Sequence, residues 1–176
     1  MMNAKGKDKV FDIALIALMV AIIEVCKVAM MNLPNIELTS FWLILFSKYF
    51  TRKVYVVVPV FILLEGVLFG FGIWWVMYLY AWPLLIHVST VFRKNDSALF
   101  WAIVSAVFGL SFGALCAIPY FFTGTDVKSG LTIAFNWWVA GIPWDITHCV
   151  ANFALMMLLY KPLGNAIQKA LSGRIK

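Results

Sequence analysis

Residues 141–152 read GIPWDITHCVAN, a polar interlude between the apolar runs TIAFNWWVA (132–140) and FALMMLLY (153–160). Whether this stretch lies in lipid decides the fold. An aspartate in hydrocarbon costs at least about 2.5–3.5 kcal/mol on insertion scales. Either the segment lies outside the bilayer, or Asp145, His148 and Asn152 face something they bind.

The surrounding chain favours the bilayer. Of 176 residues, 64% are hydrophobic and only 12% are charged, whereas soluble domains carry about 25% charged residues. A soluble protein of this size could not bury so much apolar surface, so the composition points to one all-α integral membrane domain. The start MMNAKGKDKV is basic, yet a long apolar run follows it with no small-residue cleavage site, so the run reads as a first membrane helix. Cys26, Cys116 and Cys149 lie in separate apolar segments, with no spacing suited to a metal. No cofactor signature is present.

Six segments suit helices that cross a bilayer: 11–31, 36–50, 54–70, 73–91, 98–120 and 143–160. Each needs about 20 apolar residues, fewer where the membrane thins, and the second is the shortest. NLPN (32–35), TRK (51–53), GFG (70–72), RKND (93–96) and TGTDVKSG (123–130) supply the breaks. With both termini in the cytoplasm, twelve of the fourteen basic residues fall on the inner side: Lys5, Lys7, Lys9, Lys48, Arg52, Lys53, Arg93, Lys94, Lys161, Lys169, Arg174 and Lys176. Lys128 falls outside and Lys27 lies within the first helix. This is the asymmetry expected of a membrane protein, and it accounts for the net charge of +6 without nucleic acid.

Orientation gives depth. Glu24, Lys27, Glu65, Asp145 and His148 all fall in the outer halves of their spans, with Asn152 near the middle. His87 falls toward the inner end of the fourth span, as a packed or interfacial side chain. At 100° per residue, Asp145, His148 and Asn152 share one helix face, and Leu155, Met156 and Leu159 continue it inward. The pattern describes a cavity open to the outside and closed below.

Each polar residue also has a structural reading. Gly141-Ile142-Pro143 suits a helix start with proline at its first position, which places Asp145 in a first turn favourable to a carboxylate. His148 and Asn152 could hydrogen-bond between helices. Glu24 and Lys27 could pair with each other one turn apart. Glu65 has no sequence-local cation, and a lone carboxylate in a span is a functional candidate. Trp74, Trp75, Tyr78, Trp82, Trp137, Trp138 and Trp144 gather on the same outer side. Some belong to an interfacial belt, while others suit walls for a flat ligand. The segment from Thr123 to Gly141 is long enough to form a lid.

No GxxxxGK[ST] phosphate loop and no HExxH occur, so the chain carries no recognisable engine. In size, six helices and two inside termini it resembles the substrate-binding S components of energy-coupling factor (ECF) vitamin transporters. The resemblance rests on Ala14-Leu-Ile-Ala17-Leu-Met-Val-Ala21 in the first helix, on NLPNIELTSFW and on GIPWDITHCVANFALMMLLYKPL. It implies a capture subunit in a prokaryotic plasma membrane, docked through the Ala14, Ala17 and Ala21 face onto a transmembrane T component that carries two ABC ATPases. It further implies gating by loops 32–35, 70–72 and 123–141. Small residues in such a face let helix backbones approach closely in lipid. From side chains alone, the expected binding set is Glu65, Trp74, Trp75, Tyr78, Asn136, Trp137, Trp138, Asp145, His148 and Asn152. That set suits a small, neutral or weakly cationic heteroaromatic such as thiamin, its precursors, vitamin B6 forms or modified purine bases.

Two other classes compete. His148-Cys-Val-Ala-Asn152 matches an HxxxN spacing found in CAAX-type intramembrane proteases, but the Glu-Glu-x-x-x-Arg element of those enzymes is missing. A channel or small secondary carrier is the other alternative, and transport by the chain alone would favour it.

Overall fold

The computed structural model describes residues 4–172, with side chains from Lys9 onward. Lys5 and Lys7 therefore have no described side chain, and Arg174 and Lys176 lie outside the described residues. Within these limits the chain is all-helical: α1 (Ala4–Ala29), α2 (Thr39–Tyr49), α3 (Thr51–Phe69), α4 (Ile73–Val91), α5 (Ala98–Phe121) and α6 (Val127–Ser172).

The short helix α2 is the hub, touching α1, α3, α4, α5 and α6. Thr39, Ser40, Phe41 and the run Leu43–Ser47 are all buried on it. The Ser47 hydroxyl donates to Leu43 O at 2.7 Å, while the buried Ser40 hydroxyl has no partner. Eleven residues span only about 16 Å at 1.5 Å per residue. The segment expected to be helical from residue 36 instead remains irregular until Thr39, so Glu37 lies in a connection and not in a span.

The sides of the molecule reverse the usual arrangement of a soluble domain. Large apolar side chains are exposed along α1 (Leu18, Val25), α3 (Val56, Val60, Leu63, Val67), α4 (Val76, Leu79, Leu84), α5 (Leu99, Ile103, Val107, Leu110) and α6 (Val150, Leu158). Glu24, Glu65, Asp145, His148 and Asn152 are buried. By length and composition, α5 and α6 are apolar enough to cross a membrane. Asp12, Glu24 and Lys27 lower the apolar content of α1, and Arg52, Lys53 and Glu65 that of α3.

The end carrying most of the basic residues is latched shut. Lys48 Nζ donates to Arg93 O (3.0 Å) and Asn95 O (2.9 Å), and it pairs with Asp96 at 2.7 Å. Trp101 Nε1 and the Tyr160 hydroxyl also donate to Asn95 O, at 2.9 and 3.3 Å. Three helices thus converge on the α4–α5 turn. Ser97 caps α5 there by accepting the Phe100 N–H, a role its hydroxyl suits.

The α5–α6 hairpin departs most from expectation. Residues 127–141, expected as a loop able to form a lid, are the first turns of α6, and only 122–126 turn the chain. Gly141-Ile142-Pro143 is not a helix start, and Asp145 is not in a first turn, because α6 runs through both. The hairpin closes tightly: a Cβ on Gly124 would lie 2.3 Å from Gly130 N. Tyr120 and Trp137 then stack at 3.8 Å, holding the early part of α6 against α5. Five prolines lie inside helices, at 59, 83, 119, 143 and 162. Neighbouring helices and local adjustment can satisfy the backbone groups that proline frees in an apolar setting.

Candidate functional site

At the end opposite the Asn95 latch, α1 and α3 lie side by side and bring Lys27 to Glu65 as an ion pair. Glu65 is therefore not a lone carboxylate, and Lys27 pairs across the helices instead of with Glu24. The ammonium also lies 4.9 Å from the Phe69 ring centre and 5.5 Å from that of Tyr78, within cation–π range. Glu24 lies beside Glu65 on the same side of the bundle. It is buried, and neither carboxylate oxygen has a hydrogen-bond partner.

The α1–α2 connection folds over this group. Asn35 adopts a left-handed backbone, φ 56°, which asparagine tolerates better than most residues. Its Nδ2 donates to Trp144 O at 3.1 Å, tying the connection to α6. Glu37 follows, accepting from the Thr39 hydroxyl at 3.0 Å, with its other oxygen 3.7 Å from His148 Nε2. That second distance is too long for a hydrogen bond. Burial pushes the Glu37 carboxyl up from its ordinary value, against the pull of Thr39 and Lys27. His148 is 2% exposed, and neither ring nitrogen has a partner. Its ring meets the Phe112 ring edge-on at 5.0 Å.

Together these groups line a cavity of about 410 Å³, with Lys27, Glu37, Phe69, Tyr78, Phe112 and His148 among its walls. Such a volume suits a small organic ligand. Beneath it, Tyr78 packs edge-on against Trp82 at 5.3 Å, and Trp82 meets Phe108 and Phe112, each at 5.6 Å. This aromatic floor and the Asn95 latch separate the cavity from the basic end.

A second cavity of about 350 Å³ adjoins the first, sharing Asn35 and Phe112, and is lined by Trp137, Trp144, Cys116 and Asp145. The Gly113 N–H donates to Asp145 Oδ1 at 2.8 Å, while Oδ2 has no partner. A Cβ on residue 113 would lie 2.3 Å from Oδ2, so any larger residue there would push the Asp145 carboxylate aside.

The expected site residues separate into groups. His148 and Tyr78 line the first cavity, and Glu65 is joined to it through Lys27. Asp145 and Trp137 line the second. Asp145, His148 and Asn152 do share one buried face of α6, but Asn152 Nδ2 donates to Ser105 O at 3.1 Å, an interhelical bond. Trp75 Nε1 donates to Ile62 O at 2.7 Å, and Trp74 packs edge-on against Tyr78 at 5.3 Å. Asn136 is exposed, and Trp138 lines a separate apolar cleft between α5 and α6. His87 is exposed as well. Ala14, Ala17 and Ala21 lie together on the outer side of α1, all exposed.

Sequence reasoning missed Asn35, Glu37 and Phe112. Glu37 stood in a stretch that resembled an outer loop, and nothing local tells whether such a loop folds inward. Phe112 sits inside Gly109-Leu-Ser-Phe-Gly113, a small-xxx-small pattern that signals close helix packing. Among the described residues, no group of three or more His, Cys, Asp or Glu is placed to hold a metal ion.

Comparison of the chain with protein-family models, curated proteins and solved structures finds no match.

Proposed function

We propose that this chain is a substrate-capture subunit, the S component of an ECF-type ABC importer in a prokaryotic plasma membrane. In this reading all six helices lie in the bilayer with both termini cytoplasmic, and α2 is a short central helix within a ring of longer ones. The exposed apolar sides of α1, α3, α4, α5 and α6 support this, since lipid is the solvent such surfaces need. The basic residues support the orientation: Lys48, Lys53 and Arg93 lie at the latched end, which the positive-inside tendency assigns to the cytoplasm.

One observation carries the capture reading. A cavity of ligand size, mostly apolar but with Glu37 and His148 in its wall, sits at the end away from most of the basic residues, closed below by aromatic rings. A closed floor suits binding and delivery better than conduction. The ligand is a small, water-soluble heteroaromatic micronutrient, held against Tyr78 and Phe112 with His148 as a polar partner. Delivery depends on a T component and two ATPases, with the exposed alanine face of α1 as the contact. The chain itself performs no chemistry.

Reconstitution tests this. The purified chain is expected to retain a small molecule, detectable by mass spectrometry after gentle purification, and to give no flux in liposomes on its own. Flux of the same compound through the chain alone would favour a channel or carrier instead.

A further inference from the structure

We infer that the outer cavity is an organic-cation site: its ligand carries a positive charge, seated on Glu37, with its ring against the aromatic wall and a polar edge on His148. The inference rests on the capture reading and names the class of substrate.

The charge inventory of the outer end comes first. Glu24, Glu37, Glu65, Asp126 and Asp145 gather there, five of the eight acidic residues in the chain, against only Lys27 and Lys128 of fourteen basic ones. Lys27 is committed to Glu65. Glu24 and Glu37 are then left without a cation of their own among the described residues. Glu24 has no hydrogen-bond partner at either oxygen, and Glu37 accepts only from Thr39. Glu37 stands at the cavity wall, so an anionic ligand would meet like charge there. A positive charge would instead find a partner.

The second observation is independent of the carboxylates. His148, 2% exposed, presents two unpartnered ring nitrogens at the cavity wall. A buried polar group without a partner is costly, and a ligand donor or acceptor would complete it. The aromatic side adds a third. Tyr78, Phe69 and Phe112 line the cavity, and the first two already hold the Lys27 ammonium near their faces. Ring faces attract cations, and Phe112 on the same wall is not taken by Lys27. A flat cation with a hydrogen-bonding edge matches all three features, whereas a simple ammonium would leave the wall and the histidine unused.

The test uses the full chain in detergent micelles. Equilibrium dialysis is run against an equimolar mixture of thiamin and 1-methylnicotinamide (cations), pyridoxine and adenine (neutral), and nicotinate and biotin (anions), and in parallel against a bacterial small-molecule extract. Retained compounds are identified by mass spectrometry. The expected result is enrichment of cations at least tenfold over neutral compounds, with no anion retained. Glu37→Gln, checked for a monodisperse fold, should lower cation retention at least tenfold while changing neutral compounds less than threefold. A neutral or anionic compound retained best by the native protein would overturn the inference and leave capture standing. Cation retention by Glu37→Gln equal to that of the native protein would overturn it too. Retention of nothing from either source would instead contradict the capture reading itself.

Discussion

On α5, Ser105, Gly109, Gly113 and Ala117 follow one another at four-residue spacing, and α6 lies directly on them. A Cβ on Gly109 would come within 3.0 Å of backbone atoms of His148 and Cys149. On α1, Ala17 and Ala21 repeat the spacing with Ala14 beside them, and all three are exposed. The same sequence device is used up within the chain in one place and left open in the other. In lipid, where apolar burial does not itself drive helices together, close backbone approach is one of the few attractions available. The filled stripe holds Asp145 and His148 in place. In the proposed reading, the open one would let a second membrane protein come equally close.

The largest effect should come from filling the α5 stripe. In Gly109→Leu the new side chain meets α6 backbone, which cannot move aside as a flexible side chain could. Overpacking costs about 1–3 kcal/mol and occasionally more. A clear fall in the thermal midpoint in detergent is expected, with ligand binding lost as His148 shifts. An unchanged midpoint would mean that the helices are less tightly joined than described.

Bulk on the open stripe should do the reverse. Ala17→Trp and Ala21→Trp are expected to leave the thermal midpoint and ligand binding of the isolated chain unchanged, while abolishing uptake in cells and co-purification with a T component. Lost binding with assembly intact would reverse the roles of the two stripes.

Smaller effects belong to single groups held by the filled stripe and its neighbours. His148→Ala and Glu65→Gln should each weaken binding by about 1–3 kcal/mol, the range for leaving a buried polar partner unpaired. Titration calorimetry measures this directly. In Glu65→Gln the Lys27 ammonium loses its ion-pair partner, so a cationic ligand should suffer more than a neutral one.

The smallest is a pH effect. Burial raises the Glu37 carboxyl above its ordinary value, so it takes up a proton at milder acidity than a free glutamate. The groups around it are Lys27 from α1, Thr39 from α2, Glu65 from α3, Tyr78 from α4 and His148 from α6. Because a cation is held by the ionised carboxylate, affinity should fall as pH drops through the raised value and be fully present above it. Glu37→Gln should flatten that profile. An unchanged slope would assign the titration to another member of the group.

How much of this was legible beforehand differs along the chain. The bounds of α4 coincide with the apolar run 73–91, and those of α5 differ from 98–120 by one residue, because each run is flanked by glycine or by charged and polar turns. The shared face of Asp145, His148 and Asn152 followed from helical periodicity alone. The start of α6 did not. Gly141 and Pro143 are breakers in water, but α6 keeps its helix through both, clamped to α5 by the Tyr120–Trp137 stack. The Lys27–Glu65 pair joins residues 38 positions apart, and no local pattern encodes such a partner. Glu37 was invisible for a similar reason: its place beside His148 depends on how the 30–38 connection folds across α6, through one left-handed asparagine and one hydrogen bond.

Impermeant thiol labelling of intact cells tests the central claim, an outward-facing capture cavity, most directly. Met31 lines the cavity and is exposed, while Asn95 lies at the latched end. In a background lacking Cys26, Cys116 and Cys149, Met31→Cys should react with reagent applied outside, and the compound that co-purifies with the protein should slow the reaction. Asn95→Cys should react only after the membrane is permeabilised. Labelling of Asn95→Cys in intact cells with Met31→Cys silent would invert the orientation and contradict capture from the outside.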